Sequence, residues 1–225
     1  MSISQWPVAE QPRERLLRLG AEPLSDAELI AVFLRTGVAG KDAMALAREL
    51  IGHFGSLQAI LASNCAAFSA IVGLGPVKWS QLAAATELTR RSLCEQLQQS
   101  AGLGTPGLVK DYLRLWLRDR PYECFACLYL DSRHRLIEAR EMFRGTLSQT
   151  AVYPREIARQ ALHLNAAAVI LSHNHPSGVA DPSIADRALT QAIRSALAQL
   201  DVAVLDHLIV AGNGCLSFAE RGWLN

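Results

Sequence analysis

What the sequence lacks narrows its class before any motif does. It carries no charge excess: 22 Lys and Arg stand against 21 Asp and Glu, a formal net charge of +1 at pH 7. The two signs also balance separately on either side of residue 100. A chain that holds nucleic acid by neutralising many phosphates shows a basic surplus, so that class is disfavoured. No apolar run approaches the ~18 residues that a membrane span needs, and no membrane partner is expected. The opening MSISQWPVAEQPRE has no basic stretch followed by an apolar one, so no secretory signal is read and the expected location is cytoplasmic. Cysteine is sparse and odd in number (Cys65, Cys94, Cys124, Cys127 and Cys215), which does not make a disulfide framework. Internal repeats and low-complexity tracts are absent as well.

Cys124 and Cys127 do form a C-x-x-C, inside ECFACLYLD. That stretch alternates as a strand does, and residues three apart on a strand face opposite sides. They cannot chelate one ion, and both read as small buried hydrophobes. A local basic group runs through Lys110, Arg114, Arg118, Arg120, Arg133, Arg135, Arg140 and Arg144. It reads as the solvated face of a helix and a hairpin.

What is present is a soluble globular composition, 50% hydrophobic and 19% charged over 225 residues. The first hundred residues read as short helices. Ser25 to Glu28 has capping-box spacing ahead of Leu29, Ile30, Phe33 and Leu34, with Gly37 as a stop. An amphipathic helix follows over Lys41 to Ile51, then short helices starting at Ser56 and Ser63. Gly73-Leu74-Gly75 is a tight turn opening a long helix, an arrangement like a helix-hairpin-helix. Amides at such a hairpin can face a phosphate, which would give weak DNA binding with Lys78 as the nearby base. The same G-x-G is also a good corner between two helices.

QQSAGLGTPG, rich in glycine, marks a linker. The domain reading is a small all-helical domain over 1–100, a linker over 101–107 and an α/β (or α+β) domain over 108–225. In the last, Leu108 to Leu117 reads as a helix. CFACLYLD and RLIEAREMF read as paired strands turning at Asp131 to His134. A helix opens at Pro154, AAAVILSH is a buried strand, a helix starts at Ser183, and VAVLDHLIV and CLSFAE close the chain as strands. The result is a mixed central sheet flanked by helices.

The chemistry concentrates in LSHNHPSGVADPSIADRALT. His173 and His175 stand at i and i+2, so in an extended chain both rings leave one face, just past the end of a buried strand. Asp186 falls in the first turn of the next helix. Two neutral imidazoles and a carboxylate suit zinc, and three protein ligands leave the fourth position for water, the mark of a catalytic site. The competing reading is plain helix capping, since Ser183-x-x-Asp186 is also capping-box spacing. Asn174, between the histidines, would point the other way and fix the loop. Asp206 and His207 are further candidates, either supporting the ligands, facing substrate, or simply satisfied within a strand.

His173-x-His175 followed by Ser183-x-x-Asp186 resembles the JAMM (MPN+) motif of zinc metalloproteases and deubiquitinating isopeptidases. HNHPSG with PSxxD, FRGTLSQTAVYPREIARQAL, LDHLIV and LSDAELIAVFLRTG together resemble the bacterial RadC family, from about residue 12 to the end. The resemblance implies a cytidine-deaminase-like MPN/JAMM domain holding one Zn2+ per chain on His173, His175, Asp186 and a water. It implies a glutamate general base from an upstream strand, for which Glu123 is favoured and Glu141 is the alternative. It further implies that Ser183 donates a hydrogen bond to the tetrahedral oxyanion, a contact worth roughly 3 kcal/mol in other enzymes. The substrate would be a protein or peptide, cleaved at an amide or isopeptide bond. Two other classes remain open: a DNA-associated repair or recombination factor binding through the N-terminal helices, with a nuclease or inert C-terminal site, and a scaffold that has lost turnover.

Overall fold

A computed structural model describes residues 3–99, 106–145, 152–212 and 214–224. Most of the expected linker, 101–105, lies outside the described residues, as does 146–151. The chain divides into two compact units, Met1–Leu88 and Thr89–Asn225.

The first unit is helical: α1 (Pro12–Leu19), α2 (Asp26–Leu34), α3 (Ala43–Phe54), α4 (Leu57–Ala62), α5 (Cys65–Ser69) and the start of α6 (Pro76–Gln99). Four helices open on a side chain that accepts an otherwise orphan backbone N–H: Ser25 from Glu28, Asp42 from Ala45, Ser56 from Ala59 and Asn64 from Ala67. The expected start at Ser63 therefore moves to Asn64, whose amide oxygen is the better placed acceptor. Ser25 and Glu28 complete a reciprocal capping box. No side-chain cap marks α1, which begins on a proline whose missing N–H costs nothing at a first helical position. Leu34, Leu46, Ala47, Leu50, Phe68 and Leu74 make the buried core.

Gly73 has φ +93°, and a Cβ there would meet Val38 Cγ1 at 2.7 Å. The hairpin thus needs glycine both for its left-handed backbone and for space. Lys78, the base beside it, donates to the carbonyls of Thr36 at 2.9 Å and Gly73 at 3.0 Å. Burial lowers its pKa.

The second unit contains α7 (Pro106–Leu117), β1 (Cys124–Leu130), β2 (Leu136–Arg144), α8 (Pro154–His163), β3 (Ala168–Asn174), α9 (Ile184–Ala198), β4 (Ala203–Ala211) and β5 (Gly214–Ser217). They form a five-stranded mixed sheet in the order β2-β1-β3-β4-β5. Among the described residues only β3 and β4 pair in parallel, with α9 between them in sequence. Alternation along β1 splits its side chains between two cores. Cys124, Ala126, Leu128 and Leu130 pack with Leu113 and Leu117 of α7. Phe125, Cys127 and Tyr129 pack with Ile157 of α8 and Ile193 of α9. The two C-x-x-C cysteines consequently lie in different layers, and burial pushes the Cys124 thiol up to about 12.

Most of the basic group is neutralised locally. Lys110 pairs with Glu220, Arg114 with Asp111, Arg118 with Asp119, Arg120 with Glu141, Arg135 with Asp131 and Arg140 with Glu138. Arg144 stacks on the Tyr122 ring, 3.6 Å from its centroid. Among the described residues no helix is long and apolar enough to cross a membrane.

Candidate metal centre

The site gathers at the C-terminal end of β3. Parallel pairing with β4 continues through Asn174 opposite Val210, so His173 lies inside the strand and only His175 lies beyond it. The expected strand AAAVILSH, which ends on His173, thus runs one residue further, and of the two histidines only His175 follows it. His175 is still tethered, since its backbone N–H donates to Val210 at 2.9 Å. The loop then turns back through Gly178 at φ +80° and enters α9. One ligand-type atom each from Glu123, His173, His175 and Asp186 lies within 4.8 Å of the others.

Asp186 serves two purposes. Its Oδ2 accepts from the Ser183 backbone N–H at 2.8 Å and from Ser183 Oγ at 2.7 Å, while its own N–H donates to Ser183 Oγ at 3.1 Å. Its Oδ1 stands 3.3 Å from His173 Nε2. Capping and convergence on the histidines are therefore compatible, because a carboxylate has two oxygens. Ser183 itself is exposed, and its hydroxyl proton points at Asp186.

The two glutamates fall on opposite sides of the sheet. Phe125 pairs with His173, and their rings stack with an interplanar angle of 8°. Glu123, two residues before Phe125, shares that side and joins the group. Glu141 pairs with Ala126 on the other side, where it reaches Arg120 and the Cys124 thiol. Glu141 is thus not brought to the histidines.

Asn174 also faces away from the group, as strand alternation requires. Its Oδ1 accepts from the Cys124 N–H at 2.7 Å and its Nδ2 donates to Tyr122 O at 3.0 Å. It therefore clasps the backbone on both sides of Glu123 rather than the loop it sits beside. Asp206 is not brought to the site either. It accepts from the backbone N–H of His207 and of Ala219 and from Ser217 Oγ, tying β4 to the C-terminal turn.

His207, by contrast, is fully buried on the histidine side, with Nε2 2.8 Å from His173 Nδ1. Its Nδ1 lies 2.6 Å from Thr190 Oγ1, which also lies 2.6 Å from the Asp186 carbonyl oxygen. Thr190 was not singled out from sequence; its only signal is the i+4 spacing from Asp186, which puts both on one helix face. Burial lowers the His173 pKa to about 4, against the opposing pull of Asp186, with His175 lowering it further. Burial also holds His207 well below its ordinary value. Both rings are neutral near pH 7, as metal ligation and its support demand.

The donor set fits a metal ion. His175 Nδ1 lies 2.7 Å from the Val179 carbonyl, which can only accept, so that nitrogen carries a proton and Nε2 is turned to the site. His173 Nε2 stands 2.9 Å from His175 Nε2, with the Asp186 carboxylate alongside. Two ring nitrogens so close, beside carboxylates, need a positive species at their meeting point, either a proton or a metal cation.

A mixed sheet flanked by helices, with a histidine and carboxylate group at the end of a central strand, is the setting in which a JAB-type domain is matched. The RadC-like JAB domain family matches residues 103–223, and the UPF0758 N-terminal family matches residues 3–80. The UPF0758 proteins of Janthinobacterium sp. (strain Marseille) and Herminiimonas arsenicoxydans are each 57% identical over 224 residues, covering 100% of both chains. That of Nitrosomonas eutropha is 54% identical over 222 residues, 99% of each chain. The chain belongs to the RadC (UPF0758) family.

Proposed function

We propose that this protein is a zinc-dependent hydrolase of amide bonds, peptide or isopeptide, acting on a protein or peptide substrate. The observation that carries this reading is the convergence of Glu123, His173, His175 and Asp186 within 4.8 Å. Imidazole nitrogens mixed with carboxylate suit zinc rather than the oxygen-only sets favoured by Mg2+ or Ca2+. His173, His175 and Asp186 would hold the ion. Zinc bound there supplies a positive charge that makes water acidic near neutral pH and polarises a carbonyl oxygen. Glu123, entering from the segment before β1, takes the proton of the attacking water and passes it to the leaving amine. Ser183, at the exposed mouth, can turn its hydroxyl from Asp186 to the oxyanion that develops on the substrate.

Elemental analysis of the purified protein beside a His173→Ala/His175→Ala variant tests the reading. About one zinc per chain in the wild type, lost in the variant, is expected, together with chelator-sensitive cleavage within a panel of peptide and isopeptide substrates. A wild type that takes up no zinc after reconstitution overturns it.

A further inference from the structure

Two of the four converging residues are also joined by a line of hydrogen bonds whose side chains are buried. It runs from the Asp186 carbonyl oxygen to Thr190 Oγ1, to His207 Nδ1, and from His207 Nε2 to His173 Nδ1. Phe125 and Phe218 pack against His207, with ring centroids 5.6 and 4.8 Å away. Thr190, His173 and His207 are all buried, so each contact must be settled within the protein.

The polarity of this line follows from its end. A carbonyl oxygen only accepts, so the Thr190 hydroxyl gives its one proton to Asp186 O. Thr190 Oγ1 must then accept from His207, which places a proton on His207 Nδ1 and leaves Nε2 bare. His207 Nε2 in turn accepts from His173 Nδ1–H. His173 is left with its lone pair on Nε2, directed at the point where Asp186 Oδ1 and His175 Nε2 converge.

We infer that Thr190 and His207 are positioning residues that lock His173 in the tautomer able to ligate a metal through Nε2. The inference rests on the metal-dependent reading above. The line closes into a ring: Asp186 supplies a ligand through its side chain and the terminal acceptor through its backbone, four residues before Thr190 on the same helix face. Occupation of the centre and docking of the first turn of α9 against β3 and β4 therefore support one another. Partners of this kind, removed from other metal sites, typically cost ~10–100-fold in affinity.

The test uses the full-length protein with 15N-labelled histidine. Long-range 15N–1H correlation spectra of the metal-free and zinc-loaded forms report which nitrogen of each ring carries hydrogen. His173 and His207 are both expected to carry it on Nδ1; an Nδ1 without hydrogen on either ring in the metal-free protein overturns the inference. In parallel, zinc affinity is measured by competition with a chromophoric chelator. Thr190→Val, which keeps the shape and removes the hydroxyl, is expected to weaken zinc by ~10–100-fold, and Thr190→Ser to restore it. A folded Thr190→Val protein with wild-type zinc affinity overturns the inference. Should Thr190→Val fail to fold, the wild-type tautomers still decide. A wild type that binds no zinc would sink the hydrolase reading, while the tautomers of its metal-free form would still uphold or refute the ring.

Discussion

Ser183 and Asp186 bond reciprocally, Oγ donating to Oδ2 at 2.7 Å and the Asp186 N–H donating to Oγ at 3.1 Å, while Asp186 Oδ1 stays 3.3 Å from His173 Nε2. The residue that starts the helix and the residue proposed to hold the metal are one pair. Ser183→Ala should therefore cost about 1 kcal/mol in denaturant titration, the usual worth of an N-cap. It should also reduce turnover by ~10²-fold or more if the hydroxyl serves the oxyanion. Lost stability with turnover intact would leave Ser183 a cap and nothing else.

The sheet separates Glu123 from Glu141, and the two should behave differently when made neutral. Glu123→Gln is expected to keep its zinc and lose ~10²–10⁴-fold in turnover of any amide the wild type cleaves. Glu141→Gln, on the Arg120 side, should retain turnover. Paired metal analysis and rate measurement on the two variants decide between them; equal losses would sink the assignment of the base.

Asn174 holds the chain at Tyr122 and Cys124, and so holds Glu123 between them. Asn174→Ala leaves a buried N–H and a carbonyl unsatisfied, for an expected loss on the order of 2–4 kcal/mol. A denaturation midpoint equal to wild type would mean that water or a shift of the backbone replaces the clasp.

Acid should destabilise the metal-free protein through its histidines. His173 is lowered to about 4 and His207 well below its ordinary value, both chiefly by burial, whereas in the unfolded chain each titrates near ~6.5. Below that value the unfolded chain binds more protons than the folded one, so stability rises with pH across this window. The contribution is complete above the unfolded value and is lost as pH falls through the folded one. Denaturation midpoints measured in chelator should drop steadily from about pH 7 to about pH 4.5; a flat profile would mean that the folded rings accept protons freely.

Cys124 and Cys127 should resist alkylation in the native state. Both are fully buried, and burial pushes their thiol pKa values up. Cys65 is only partly buried. Mass mapping after brief exposure to a haloacetamide should find label on Cys65 and none on the C-x-x-C pair; early label at Cys127 would mean that β1 opens locally.

Much of this was legible along the chain because its physical cause is local. Capping residues at Ser25 and Ser183, alternation in CFACLYLD and the proline opening α8 act within a few residues, so they placed helices and strands close to where they occur. The histidine spacing and the S-x-x-D were equally local, and they marked the site. Strand alternation also turned Asn174 away from the histidines, although what it grips, fifty residues upstream, depends on the pairing of β1 with β3.

What spacing could not decide depends on register. Glu123 and Glu141 look alike in sequence; only the pairing of Phe125 with His173 and of Ala126 with Glu141 puts one on the histidine face and the other behind it. The neighbours Asp206 and His207 likewise part company on β4, one to a C-terminal turn and one to His173. Thr190 carried almost no signal, because its contact with His207 exists only where α9 packs on β4. The sequence by itself determined the elements, their caps and the motif, through interactions that reach a few residues. Which side chains meet was decided by the tertiary structure, because a one-residue change of register moves a side chain through the sheet to the opposite face.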